Sequence, residues 1–288
     1  MTATRSAASG AEAGRAKAAV IAVASGKGGV GKTNVAVNLS IALGRLGYRV
    51  GLLDADYGLG NVDVLLGLTP EYHIGHVIEG EVALDEIVMT GPAGVRIVPA
   101  SSGLRELTAL TGPQQIALEA ALEELAASLD YLFIDTASGI SDNVVEAMQL
   151  AGRVIVVTSV EPAAIVDAYA TAKVLTAAAP AIEIGIVVNS VRDAQEAELA
   201  FRQLDVAANR FLSRSLKFYG YVTEDALVRD AVLVQRAIVD HMPQAPASRC
   251  FRILAARIAG LGPVDSRGSR GRARMRAVPA VAEVTQCA

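Results

Sequence analysis

The sequence predicts an α/β fold: a doubly wound, mostly parallel sheet of about seven strands with helices on both faces. Three observations carry that expectation. Short unbroken apolar runs recur along the chain, as strands covered on both faces require. Ala- and Leu-rich stretches of helical length separate them, the alternation that produces right-handed crossovers. Of the 288 residues 52% are hydrophobic and 19% charged, enough apolar matter for one sizeable core. Aromatic residues are only 4% and Trp is absent, so that core is built from Ala, Val, Leu and Ile.

Order is expected to start at residues 18–24 (AAVIAVA), which run into a glycine cluster and then a helical pattern. Residues 1–17, rich in Ala, Ser and Gly without an apolar period, read as a flexible leader. Further strands are expected at 48–54, 95–99, 131–135, 153–158, 182–188 and 217–222. The clearest helix is 114–128, where Leu118, Leu122 and Leu125 fall at helical spacing with Glu119, Glu123 and Glu124 between them. Others are expected at 166–179, 194–216 and 247–260. One domain thus spans 18–261, without repeat or internal linker. Residues 262–288 place Pro263, Gly268, Gly271 and Pro279 among five arginines and read as a disordered Arg-rich tail.

Composition excludes several function classes. The two cysteines, Cys250 and Cys287, allow no disulfide framework, Cys-rich metal site or iron–sulfur carrier. Three histidines are too few for most catalytic zinc sites; His73 and His76 read as part of a surface loop. No run of about 18 apolar residues crosses a membrane, and no secretory signal opens the chain, so a cytoplasmic protein is expected. The net charge of −4 divides into +3 over the last 25 residues and −7 over the rest. An acidic body argues against DNA as a partner; only the tail attracts a polyanion.

The strongest signal is Gly26-Lys27-Gly28-Gly29-Val30-Gly31-Lys32-Thr33, which satisfies G-x-x-x-x-G-K-[ST] between a strand and a helix. Its glycines let backbone N–H groups turn onto phosphate oxygens, and the helix start adds its positive dipole end. Lys32 is expected on the β- and γ-phosphates and the Thr33 hydroxyl on Mg²⁺, with Asn34 completing the nucleotide-binding stretch. Two further strands end in carboxylates, at Asp54-Ala55-Asp56 and at Asp135. A strand running into Asp is the arrangement in which a carboxylate holds a water on Mg²⁺.

The loop carries a second lysine, Lys27, and KGGVGKT resembles the deviant Walker A motif of the MinD/ParA ATPases. The resemblance implies that Lys27 crosses a dimer interface to the phosphates of the partner's nucleotide, as an arginine finger does. It therefore implies an ATP-dependent homodimer with two nucleotides between the subunits. The segment DADYGLGNVD resembles the family's first switch, which implies Asp56 beside Mg²⁺ and the attacking water, with Asp54 supporting. Asn61 and Asp63 would couple that loop to dimerisation. The segment from Asp135 to Gly139 resembles the second switch, with the Gly139 backbone at the γ-phosphate. Asn189 stands where the family places an Asn on adenine. The run Asn189-Ser190-Val191-Arg192 lacks the Lys and Asp of a guanine pocket, which favours ATP over GTP. Thr223-Glu224-Asp225 resembles the loop that cups the base; Glu224 and Asp225 are either base contacts or caps of the next helix.

Within the family, residues 135–144, 231–236 and 242–248 resemble the flagellar number regulators of the FlhG (FleN) type. This implies an ATPase switch, hydrolysing ATP slowly and stimulated by a partner, that sets the number or placement of a cellular structure, flagella first. The implied partners are an FlhF-type GTPase, a flagellar switch protein or a transcription regulator. The implied location is cytoplasmic, peripheral on the inner membrane face at a cell pole. Two features depart from the pattern. The leader holds no D-Q-A-x-x-L-R segment of the kind that activates FlhF. Beyond Arg267, Met275, Val278, Val281 and Val284 make a poor apolar face, although five arginines still attract an anionic membrane. The helix at 247–260 is expected to pack on the sheet, with a membrane face as the alternative. Two other readings remain: a ParA-type DNA partition ATPase, and a nucleotide-binding adaptor that restrains a transcription activator without turnover.

Overall fold

The computed structural model describes residues 18–57, 60–100 and 111–261. The expected leader at 1–17 and the Arg-rich tail at 262–288 lie outside the described residues. The strands are β1 (Ala19–Ala24), β2 (Val50–Ala55), β3 (Met89–Thr90), β4 (Arg96–Val98), β5 (Tyr131–Thr136), β6 (Arg153–Thr158), β7 (Glu183–Val191) and β8 (Lys217–Thr223). The helices are α1 (Lys32–Arg45), α2 (Val62–Leu65), α3 (Ile74–Ile78), α4 (Leu84–Ile87), α5 (Gly112–Ala127), α6 (Asp142–Gln149), α7 (Pro162–Ala178), α8 (Ala194–Leu212), α9 (Ala226–Leu233), α10 (Ile238–His241) and α11 (Pro246–Leu261).

The strands form one sheet in the order β3-β4-β2-β5-β1-β6-β7-β8. Every neighbouring pair is parallel except β3 with β4. Every residue of β2, β5 and β6 is buried, which is why these strands read as unbroken apolar runs rather than alternating ones. Side chains still alternate between two packed layers. Ile21 and Val23 of β1 face a layer formed with α1 and α11; Ala22 and Ala24 face one formed with α5, α7 and α8. Helices on both faces make this the doubly wound architecture that the sequence predicts.

Three local expectations change. The sheet has an eighth strand, Met89–Thr90, antiparallel at the edge; two residues are too few to show a period. The helix expected at 194–216 stops at Leu212, because Ser213 takes the left-handed conformation at φ 50°. His73 and His76 do not lie in a surface loop. They cap α3: His73 Nδ1 accepts the Gly75 N–H at 3.2 Å, and His76 Nδ1 accepts the His73 N–H at 3.2 Å. The α11 helix buries Cys250, Phe251, Leu254, Ala255 and Ile258 against α1 and β8, so this face packs on the protein and not on a membrane. Among the described residues no helix is long and apolar enough to cross a membrane.

Candidate functional site

Strands β2, β5 and β1 are adjacent, so their carboxyl ends bring the two switch carboxylates beside the glycine loop. That loop joins β1 to α1. Gly29 and Gly31 sit at φ 83° and 87°, the left-handed region that favours glycine. Gly31 is the N-cap of α1 and no side chain bonds the first turn, so its N–H groups face the loop. Two glycines also have packing reasons. A Cβ on Gly26 would lie 2.3 Å from the Asp167 carbonyl oxygen of α7, and one on Gly31 would lie 2.3 Å from Asn189 Nδ2.

The centre of the site is a buried ion pair. Lys32 Nζ donates to Asp135 Oδ1 at 2.7 Å; the side chains are 6% and 1% exposed. Thr33 lies against the same pair: its Oγ1 accepts from Lys32 Nζ at 3.4 Å, and its hydroxyl bonds the Asp135 carboxylate. Burial pushes the Asp135 carboxyl up from its ordinary range, against the pull of Lys32 and Thr33, and the charge of Asp56 adds to the push. Lys32, Thr33, Asp56 and Asp135 therefore converge as the sequence expects.

Asp54 stands opposite Asp135 in the sheet register and is 1% exposed. Its Oδ1 accepts the N–H of Asp56 at 3.0 Å, and its Oδ2 accepts those of Asn61 at 2.9 Å and Val62 at 3.1 Å. One carboxylate thus gathers both ends of the first switch. Burial, then the charge of Asp135, pushes the Asp54 carboxyl up to about 7. The second switch is tied to β1 instead. Gly139 N–H donates to the Ser25 carbonyl at 2.8 Å with φ 100°, and Thr136 Oγ1 donates to the Val23 carbonyl at 3.2 Å.

Lys27 pairs with Glu161, the residue just before α7, and both side chains are more than a third exposed. Sequence reading did not single out Glu161. The available signal was topological: β6 neighbours β1, so the loop after β6 borders the loop after β1. Asn189 Nδ2 donates to the Val30 carbonyl at 2.8 Å, which ties the expected base-side residue to the phosphate loop. Asp225 acts as a cap: it accepts the Leu227 N–H at 3.0 Å and the Ala247 N–H at 3.1 Å, joining α9 to α11. Glu224 is exposed beside it.

The donors suit Mg²⁺. Thr33, Asp56 and Asp135 offer hard oxygen ligands, and among the described residues the raised carboxyls of Asp54 and Asp135 have Lys32 as the cation acting on both. Mg²⁺ takes one or two carboxylates together with phosphate oxygens and needs no full protein cage. Among the described residues none is formed by three or more His, Cys, Asp or Glu.

A glycine loop between strand and helix, its lysine paired to a strand-end aspartate, defines a P-loop nucleotide hydrolase. The family described as ParA, NUBPL iron-transfer P-loop NTPase matches residues 16–259. The chain belongs to this ParA/MinD family of ATPases, which act with ATP and Mg²⁺. It is 44% identical over 239 residues to the antiactivator FleN of Pseudomonas aeruginosa, covering 83% of this chain and 85% of FleN. It is 34% identical over 210 residues to the flagellum site-determining protein YlxH of Helicobacter pylori, covering 73% and 71%. The septum site-determining protein MinD of Pyrococcus horikoshii, solved with Mg-ADP, matches the fold with a TM-score of 0.69. Its identity is 25%, covering 85% of this chain and 97% of that one.

Proposed function

We propose that this ATPase is a nucleotide-dependent dimerising switch that sets the number or placement of flagella. The observation that carries the reading is Lys27: a second lysine on the phosphate loop, half-exposed, held by an acceptor it can leave. The similarity to FleN and YlxH supplies the cellular process. In the proposed cycle the loop from Gly26 to Asn34 cradles the phosphates and Lys32 moves from Asp135 onto them. Asn189 contacts the base, with Glu224 at its rim and Asp225 there chiefly as a cap. Asp56 orients the attacking water, and the Gly139 N–H meets the γ-phosphate. Thr33, Asp56 and Asp135 would hold Mg²⁺, which when bound supplies charge neutralisation on the phosphate oxygens. Two subunits close and each lends Lys27 to the other's nucleotide. Positioning and charge stabilisation suffice, without a strong base.

The closed dimer then presents a new surface to a partner protein. The description of FleN as an antiactivator favours a transcription regulator; an FlhF-type GTPase and a flagellar switch protein are the other candidates. The test is light scattering of an Asp56→Ala background with ADP and with ATP, alongside sedimentation with anionic liposomes. The expected result is a dimer with ATP alone, reduced at least tenfold in affinity by Lys27→Ala. A dimer indifferent to Lys27, or none with ATP, overturns the reading. Pelleting with lipid would place the switch on the membrane; a soluble dimer leaves a protein target.

A further inference from the structure

The nucleotide site occupies the carboxyl ends of the strands. At their amino ends lies a separate cavity of about 390 Å³, in the size range of small-molecule sites. It opens between the end of α1, the starts of β2 and β4, and the turn from α5 into β5. Tyr48 contributes apolar wall, Arg96 and Ser128 the polar side, and Gly47 and Gly94 the rim. Both glycines have positive φ, at 88° and 74°, and a Cβ on either would meet no atom within 4 Å, so bare backbone borders open space.

The charges here are not in balance. Arg49 also lines the cavity, but Asp130 answers it twice, with Nη2 to Oδ1 at 2.7 Å and Nε to Oδ2 at 3.2 Å. Arg96 has no such answer. Its Nη1 donates to the Ser128 hydroxyl at 2.7 Å, and among the described residues no carboxylate lies within ion-pair distance of it. The Ser128 hydroxyl in turn donates to the Leu125 carbonyl at 2.9 Å, so a neutral group fixed from behind orients the guanidinium. The carbonyls that end α1 would oppose an anion, but N–H groups of Leu46, Gly47 and Tyr48 occupy those of Ala42, Leu43 and Gly44. The Arg96 guanidinium lines the cavity, and the geometry of its fork matches a carboxylate or a phosphate.

We propose that this cavity is a second ligand site, which takes an oxyanion on a small flat or apolar body: the anion on Arg96, the body against Tyr48. The site stands apart from the nucleotide chemistry and does not rest on the flagellar reading. Its test is calorimetric titration of the full chain, saturated with Mg-ADP so that phosphate cannot enter the P-loop. The probes are phenyl phosphate, benzoate and neutral benzamide. Saturable binding of an anionic probe is expected, with benzamide at least tenfold weaker and Arg96→Met lowering affinity at least tenfold. The stronger of phenyl phosphate and benzoate tells a phosphate ligand from a carboxylate one. If Arg96→Met fails to fold, Arg96→Lys keeps the charge and removes the fork, and a loss of at least threefold is expected. No saturable binding to the parent chain, or equal binding in the folded variant, overturns the site.

Discussion

The two ends of the sheet bury charge in opposite ways. At the amino ends, Arg153 is 2% exposed and its Nε donates to Glu183 Oε1 at 2.8 Å. Glu183 also accepts from Lys217 and Tyr219. Burial works against the Glu183 carboxylate, yet Lys217, Tyr219 and Arg153 hold it below its usual range. At the carboxyl ends, Asp54 and Asp135 share one lysine, Lys32, and both are pushed up. Glu183 is 17% exposed and ringed by three donors, whereas Asp54 and Asp135 are each 1% exposed with one lysine between them, so deeper burial with fewer donors marks the carboxyl ends as the candidate site for a cation and phosphates.

The largest break in that contrast is Lys32→Ala. It removes the cation that Asp135 pairs with and, in the proposed cycle, a ligand of the phosphates. ATP turnover should fall by about 10²-fold or more, the usual consequence of losing a preorganised charge aimed at the transition state. Phosphate release measures it. Asp135 would then be buried with no cation and take up a proton. The melting temperature should therefore drop more at pH 8, where that proton costs more, than at pH 5. Turnover equal to that of the parent chain would remove Lys32 from the mechanism.

Much of this was legible beforehand, for identifiable reasons. A glycine loop that turns backbone inward must spell out its glycines, so Gly26, Gly29 and Gly31 were readable. Asp54, Asp56 and Asp135 were readable because strands buried on both faces end abruptly in charge. Residues whose role is set by a neighbour in space were not. Glu161 follows β6 with no local mark, and only the pairing of β6 with β1 brings it to Lys27. The three backbone bonds that make Asp54 the hub of its switch depend on how the chain folds back, which no spacing reveals. Two-residue β3 carries no period, and the histidine cap of α3 uses a residue type rare in that role.

The next effect is a pH dependence. Asp54 rises from 3.8 to about 7 on folding, so between those values the folded chain holds a proton that the unfolded chain has released. Its contribution is fully present below about pH 4 and is lost as pH rises through about 7. A shift of about three units corresponds to about 4 kcal/mol, and Asp135 shifts in the same direction. Without nucleotide or Mg²⁺, stability from urea unfolding should therefore decline from pH 4 to pH 8, and Asp54→Asn should flatten the decline. The same slope in that variant would show that Asp54 is not its source.

The smallest expected effect concerns the pair at the mouth of the site. Lys27 and Glu161 are 37% and 62% exposed, and such pairs contribute about 0.2–1 kcal/mol. Removing the pair should barely alter folding. Yet the proposed dimer needs Lys27 on the partner's nucleotide, so each subunit must first give up Glu161. Glu161→Gln removes that competition twice per dimer. ATP-dependent dimerisation should tighten about two- to tenfold by light scattering, within the free-energy range of two such pairs. The melting temperature should stay within about 2 °C of the parent. Lys27→Ala combined with Glu161→Gln should dimerise as weakly as Lys27→Ala alone, because Glu161 acts only through the lysine. Weaker dimers in Glu161→Gln alone would mean that the glutamate aims Lys27 across the interface rather than holding it back.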